Sequence, residues 1–297
     1  MRYLWVMVAV SSALPLAAAP PAAATTPPAV PAAGPAGVKA RTALLADGAG
    51  RVRWARGADT RYPIASVTKV MTALVVVRAG DLDRTITVKR SYVDYGVRHG
   101  ASMAGLRAGD RLTARRLLYA MLLPSGSDAA YALADSYGPG WPRFVAKMNR
   151  TARSLGMSNT RYDNFDGLPW PARTADSSTP RDLVRLARTA LRYPALRRPV
   201  TARTHRLAKT RAHRAYTWTN TNQMLGSYRG AAGVKTGFTD AAGYCLLFTA
   251  ARGRRTLIGA ALGAPTSADR FDDAARMLNW GFGVPTDSLL RTTESRD

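Results

Sequence analysis

Two apolar runs near the C-terminal end, "AGYCLLFTAA" at 242–251 and "RTLIGAALGA" at 255–264, constrain the fold of this chain most. They flank a turn at Gly253, and apolar runs bounded by turn residues read as buried strands. Near the other end, "ARTALLADGAGRVRWARGAD" at 40–59 reads as two short strands around the turn Asp47–Gly50. The pattern between these regions is helical. "LTARRLLYAMLL" starts on Thr113 as N-cap and stops at Pro124, and "SDAAYALADSY" is a second helix. "WPRFVAKMNRTARSLG" is a third, ending at Gly156. "STPRDLVRLARTAL" is a fourth, with Thr179 capping and Pro180 at the first helical position. "SADRFDDAARMLNWGF" closes the chain as an amphipathic helix. Strands, helices, strands and a helix in that order predict an α/β protein of the α+β type. One antiparallel sheet is built from both chain ends, with a helical region inserted between them. No internal repeat is present, and 297 residues allow one large domain or two small ones.

The N-terminus sets the expected compartment. "MRYLWVMVAVSSALPLAAAPPAAATT" has a cation at Arg2, an apolar run and then small residues, a secretory signal pattern with cleavage after Ala24. Pro15 and the Pro/Ala-rich stretch interrupt the run too early for a membrane anchor. Residues 1–24 are therefore expected to be a signal peptide and residues 25–37 a Pro/Ala-rich linker. A folded domain should span 38–284, followed by a loose tail over 285–297. An exported or wall-associated protein leaves nucleic acid an improbable partner. The net charge is +24, and 37 of the 43 basic residues are Arg, scattered along the chain. Such a surface is either simply solvated or attracts a polyanion such as an acidic wall polymer.

Composition also excludes chemistry. The single glutamate, Glu294, lies in the tail, so a catalytic glutamate is nearly ruled out. His99, His205 and His213 stand far apart on expected surface or loop positions and lack metal-ligand spacing. The lone Cys245 can form no internal disulfide and sits in a strand-like run, where it reads as a small buried apolar residue. Neither a metal nor a cofactor is expected.

"RYPIASVTKVMTALVVV" at 61–77 reads as a buried helix, with Val67, Val70, Met71, Leu74 and Val75 inward. Ser66 and Lys69, three apart, share a face of it. SxxK alone is a weak signal, since Lys69 would serve equally as an exposed helix-edge residue. Two further stretches strengthen it. "LLPSGSDAA" places Ser125 at the junction of two helices, and "GVKTGFTDAAGY" places Lys235-Thr236-Gly237 at a strand start. S-x-x-K, a second serine motif and K-T-G occur together in serine β-lactamases and penicillin-binding proteins. A serine hydroxyl needs a base. With no suitably placed His or Glu, Lys69 is the available one. It can act only when neutral, so its pKa must be lowered; burial does this, and Lys235 pushes the same way if the fold brings K-T-G beside it.

On these three motifs the chain resembles the D-alanyl-D-alanine carboxypeptidases of the low-molecular-mass penicillin-binding type, serine peptidase family S11. "DNFDGL" at 163–168, "STPRDL" at 178–183, "TNTNQML" at 219–225 and "DAAGYCL" at 240–246 extend the resemblance over about 38–283. It implies a DD-peptidase/β-lactamase-like fold; the second C-terminal β-domain and C-terminal anchor, one or both of which many members carry, are not expected in this sequence. Ser66 would be the nucleophile, Lys69 the base, and Ser125 a proton relay to the leaving D-alanine nitrogen. Lys235, kept charged, with Thr236, Gly237 and Thr239, would hold the substrate carboxylate. The backbone N–H groups of Ser66 and Phe238 would form the oxyanion hole. Ser127 stands where the family has Asn, so one hydroxyl replaces an amide. The implied substrates are peptidoglycan stem peptides ending in D-Ala-D-Ala, with β-lactams as covalent inhibitors. A serine β-lactamase and a DD-endopeptidase are alternatives on the same site, although the lone tail glutamate argues against a class A lactamase. A non-catalytic basic wall-binding protein is the alternative of another kind.

Overall fold

The computed structural model describes residue 1, residues 33–171 and residues 176–285. The expected signal peptide, the linker up to residue 32 and the tail beyond Pro285 lie outside the described residues. The last linker residues are part of the fold. Pro35 is buried, and the Trp280 indole N–H donates to the Ala33 carbonyl.

The chain begins with β1 (Thr42–Asp47), β2 (Val52–Arg56), the short β3 (Tyr62–Pro63), a single 3-10 turn at Ala65–Thr68, and α1 (Lys69–Ala79). The inserted region starts with β4 (Thr85–Thr87), α2 (Arg90–Arg98), β5 (Arg111–Thr113), α3 (Ala114–Leu122), α4 (Ser127–Tyr137) and α5 (Trp141–Ser154). It continues with β6 (Ser177–Ser178), α6 (Pro180–Ala190), α7 (Pro194–Thr201), the pair β7 (Thr204–Leu207) and β8 (Tyr216–Thr219), and one irregular turn α8 (Met224–Ser227). β9 (Ala231–Thr239), β10 (Gly243–Arg252), β11 (Arg255–Ala264) and α9 (Ser267–Phe282) complete the chain.

The main sheet has the order β2-β1-β11-β10-β9 and is antiparallel throughout. Both chain ends therefore build it, and the helical region is inserted between them, as expected. Its central strands β1, β11 and β10 read as apolar runs because both their faces are covered. Successive side chains alternate between faces. Leu44, Leu247 and Ile258 join the core beneath α1 and α6, whereas Leu45, Leu246 and Leu257 pack against α9. Three helices begin on threonine caps: Thr113 accepts from Arg116 N, Thr179 from Asp182 N and Thr266 from Asp269 N.

Two local expectations are corrected. Residues 61–77 are not one helix: β3 and the 3-10 turn precede α1, and Ala65 has a left-handed φ of 47°. The cause is tertiary, because the backbone at 64–66 is pressed against Gly237 of β9. KTG does not start its strand either. It lies in the middle of β9, whose first residues Ala231, Ala232 and Gly233 are too small to signal a strand. His213 sits on a loop but is buried, with Arg116 2.9 Å from its ring nitrogen.

Candidate active site

The 3-10 turn decides how Ser66 and Lys69 meet. Side chains three apart nearly eclipse on such a turn. Lys69 Nζ lies 2.8 Å from Ser66 Oγ and donates to the Asp166 carbonyl at 2.8 Å. Lys69 is 1% exposed, and Val67, Val70, Met71 and Leu74 around it are fully buried. The loop that supplies the Asp166 carbonyl is organised by Asn164. Its side-chain oxygen accepts from Asp166 N and Gly167 N, and its amide donates to the Leu168 carbonyl.

Ser125 occupies the junction between α3 and α4. Its φ of 65° is uncommon for a residue with a side chain, and such conformations persist where the surroundings over-determine them. Gly126 is fixed by close approach, since a Cβ there would lie 2.6 Å from the Ala104 Cβ and 2.7 Å from the Ala120 carbonyl oxygen. The Oγ atoms of Ser125 and Ser127 are buried and have no hydrogen-bond partner among the described residues. Unpaired buried hydroxyls are rare in folded proteins, and at a cleft they mark positions that call for a functional explanation.

Asp128, fully buried in the first turn of α4, clamps the segment opposite. Its carboxylate accepts from Ala104 N and Leu106 N, both at 2.9 Å, and Ser127 N donates to the Ser102 carbonyl.

β9 forms the other wall. Lys235 pairs with Leu247 in register, so it faces the inserted region and is 1% exposed. Its Nζ donates to the Thr236 carbonyl at 2.9 Å, and the Thr236 hydroxyl lies 2.6 Å from that of Thr221. A Cβ on Gly237 would lie 2.8 Å from the Ile64 carbonyl oxygen and 3.3 Å from Ser66 N. Only glycine lets β9 come this close to the turn that carries Ser66. Phe238 is half-exposed and stacks on Tyr244 with ring centres 4.3 Å apart.

A cleft of about 230 Å³ joins these elements, lined by Ser66, Ser125, Ser127, Thr236, Gly237 and Phe238. Lys69 and Lys235 lie just beneath its surface. Thr239 does not line it: its hydroxyl accepts from Ala242 N and closes the β9–β10 turn. Ser102, Thr221 and Arg270 do line it and were not anticipated from sequence. Arg270 donates to the Gly237 carbonyl and to Ser267 Oγ, and it comes from α9, far along the chain.

The electrostatics divide the two lysines. Burial lowers the pKa of Lys69, while the carboxylates of Asp166, Asp176 and Asp128 pull it back up. Burial, then Lys69 and then Arg270 push Lys235 well below the ordinary lysine value. Each buried lysine therefore disfavours the charged form of the other. Asp176, fully buried near this loop, is raised by burial to about 7. Cys245 is buried in β10, where its thiol is pushed up to about 12, so it is not a nucleophile.

Comparison with known proteins agrees with this geometry. The D-alanyl-D-alanine carboxypeptidase of Streptomyces sp. strain K15 is 41% identical over 280 residues, covering 90% of this chain and 92% of that protein. The crystal structure described as the Streptomyces K15 DD-transpeptidase superposes with a TM-score of 0.78 at 41% identity, covering 83% of this chain and 98% of that one. A D-alanyl-D-alanine carboxypeptidase structure from Mycobacterium tuberculosis H37Rv gives 0.74 at 32% identity, covering 85% and 97%. The family profile for D-alanyl-D-alanine carboxypeptidase, peptidase S11, matches residues 29–266, and the chain belongs to that family.

Proposed function

We propose that the protein is a serine-type D-Ala-D-Ala carboxypeptidase that removes the terminal D-alanine from peptidoglycan stem peptides through an acyl-Ser66 intermediate. One observation carries this reading: a fully buried amine, Lys69, lies 2.8 Å from a cleft-lining serine hydroxyl. Its other neighbour, the Asp166 carbonyl, can only accept. A neutral amine satisfies both, donating to the carbonyl and accepting the Ser66 proton. Ser66 Oγ then attacks the penultimate D-Ala carbonyl, and the negative charge gathers on that oxygen. The Ser66 and Phe238 N–H groups are the donors for it. The proton taken by Lys69 passes by way of Ser125 to the leaving nitrogen, and the C–N bond breaks. Water then cleaves the ester, releasing the shortened peptide.

The carboxylate of the substrate explains the second buried lysine. Lys235, Thr236 and Arg270 surround the end of the cleft where that anion would sit, and its arrival favours the charged form of Lys235. Binding and charging are thus linked. Ser127, short and unpartnered, contacts the substrate backbone less extensively than an amide would. The K15 relative carries both the carboxypeptidase and the transpeptidase name. That supports an acyl-enzyme whose acceptor, water or an amine, is set by access rather than by different catalytic groups. β-Lactams would acylate Ser66 in place of the stem peptide.

No helix among the described residues is long and apolar enough to cross a membrane. The signal-like N-terminus supports export to the wall, and the charge of +24 supports retention on anionic polymer there. The direct test is release of D-alanine from an N-acylated peptide ending in D-Ala-D-Ala. Release by the wild type, abolished by Ser66→Ala and by Lys69→Ala, is expected. Release surviving Lys69→Ala would overturn the assignment of the base.

A further inference from the structure

At the far end of the sheet lie two open cavities of about 430 and 420 Å³, each within the ~300–1,000 Å³ typical of ligand sites. They share Gly48 and Thr256, so they adjoin at the hairpin end of the sheet, and together they make up one basic groove-like surface. One part is walled by Arg188, Arg192 and Arg197 above an apolar floor that includes Ile258. The other is walled by Arg51, Arg53, Arg254 and Arg255. Asp47 is the one acidic residue in either lining, and Arg51 already occupies its carboxylate. Arg188 and Arg255 are held by backbone carbonyls. Arg53, Arg192, Arg197 and Arg254 are exposed and make no side-chain hydrogen bond or ion pair among the described residues.

Arginine is scattered over this protein, but here seven guanidinium groups line a concavity. A concave surface lined by one sign of charge focuses its field and concentrates anions of the opposite sign. The walls come from different elements. α6, its C-terminal turn and α7 form one side, and the β1–β2 and β10–β11 hairpins form the other. Guanidinium forks arriving from several directions suit the tetrahedral oxygens of phosphate better than a planar carboxylate. Both hairpins lie at the end of the sheet away from the β9–β10 turn. Along β9, the four residue steps from Ala232 at the groove to Thr236 at the cleft separate the two by about 13 Å.

We propose that this groove binds a linear phosphodiester polymer, its arginines engaging successive phosphates while the Ser66 cleft remains open to stem peptides. The setting, an anionic wall, rests on the function proposed above; the binding does not require the catalytic assignment. In place of diffuse attraction by net charge, the structure assigns retention to named side chains.

The experiment measures binding of the mature chain to labelled poly(glycerol phosphate) at low ionic strength. A quadruple variant, Arg53→Gln, Arg192→Gln, Arg197→Gln and Arg254→Gln, is compared with a charge-matched control. The control carries Arg90→Gln, Arg143→Gln, Arg150→Gln and Arg153→Gln, also exposed and unpaired. Roughly fivefold per phosphate contact predicts a loss on the order of 500-fold for the groove variant. The control should lose only a few-fold. Equal losses in both variants would overturn the groove in favour of net charge. Equal affinity for polyglutamate of matched length would overturn the phosphodiester assignment, as would tighter, groove-dependent binding to phosphatidylglycerol vesicles. D-alanine release from a short soluble peptide is measured on the same samples and should be unchanged in the groove variant. Its absence from the wild type would instead count against the catalytic reading.

Discussion

Substituting Asp128 should loosen the site without touching a reacting group. Its carboxylate is fully buried and accepts from Ala104 N and Leu106 N, with a further bond from Ala129 N at the start of α4. These bonds hold the segment that carries Ser102 against the turn containing Ser125 and Ser127. In Asp128→Asn the amide oxygen can keep the Ala104 and Ala129 bonds, but the NH2 group then faces the Leu106 N–H. One charge-assisted bond is lost and one buried donor is left unpaired, a cost of about 2–3 kcal/mol. For a chain of this size that lowers Tm by roughly 5–10 °C. Asp128→Ala removes all three acceptor contacts and should cost about twice as much. Thermal unfolding gives the stability term, and the rate of acylation by benzylpenicillin gives the site term. Both should fall in the order wild type, Asn, Ala. A Tm within about 2 °C of wild type for Asp128→Ala would refute the clamp, as would unchanged acylation in a variant that has lost stability.

Lys235→Met should abolish D-alanine release yet raise stability by about 1–3 kcal/mol at neutral pH, because an apolar side chain replaces a buried amine. Burial lowers the Lys235 pKa, so between its folded value and the ordinary value of 10.5 the unfolded chain binds a proton that the folded chain has released. Wild-type stability then rises with pH, and the advantage of Met should shrink as pH approaches 10.5. An advantage independent of pH in thermal unfolding would contradict this. Ser127→Asn should keep or raise D-alanine release, since it adds a donor and an acceptor to a cleft position whose hydroxyl is unpartnered. A large loss would mean that the short side chain is required.

Local chemistry made much of this fold legible. The threonine caps at 113 and 179, Pro180 at a first helical position and the apolar runs of β10 and β11 all act within a few residues, so sequence pattern suffices to find them. Ser66, Lys69, Ser125 and Lys235 were found because short motifs keep each group at a fixed spacing from its backbone. What escaped depends on distant contacts. Gly237 and its neighbours press residues 64–66 into a 3-10 turn, which no propensity at 61–68 announces. Arg270 reaches the cleft only because α9 packs back on β10 and β11 beside β9, and in sequence it reads as one polar position of an amphipathic helix. Asp128 looks like an ordinary acidic residue in a helix's first turn until the segment it clamps is seen. Thr239 follows KTG closely enough to suggest a role, yet the strand ends there and its hydroxyl serves the turn.

The central claim is that Ser66 becomes a covalent acyl carrier with Lys69 as its base. Intact mass of the purified chain incubated with benzylpenicillin, with Ser66→Ala beside it, tests this most directly. One penicillin bound to the wild type, long-lived and missing from Ser66→Ala, is the predicted result. An adduct that persists in Ser66→Ala, or a wild type that neither forms an adduct nor consumes the drug, would contradict it.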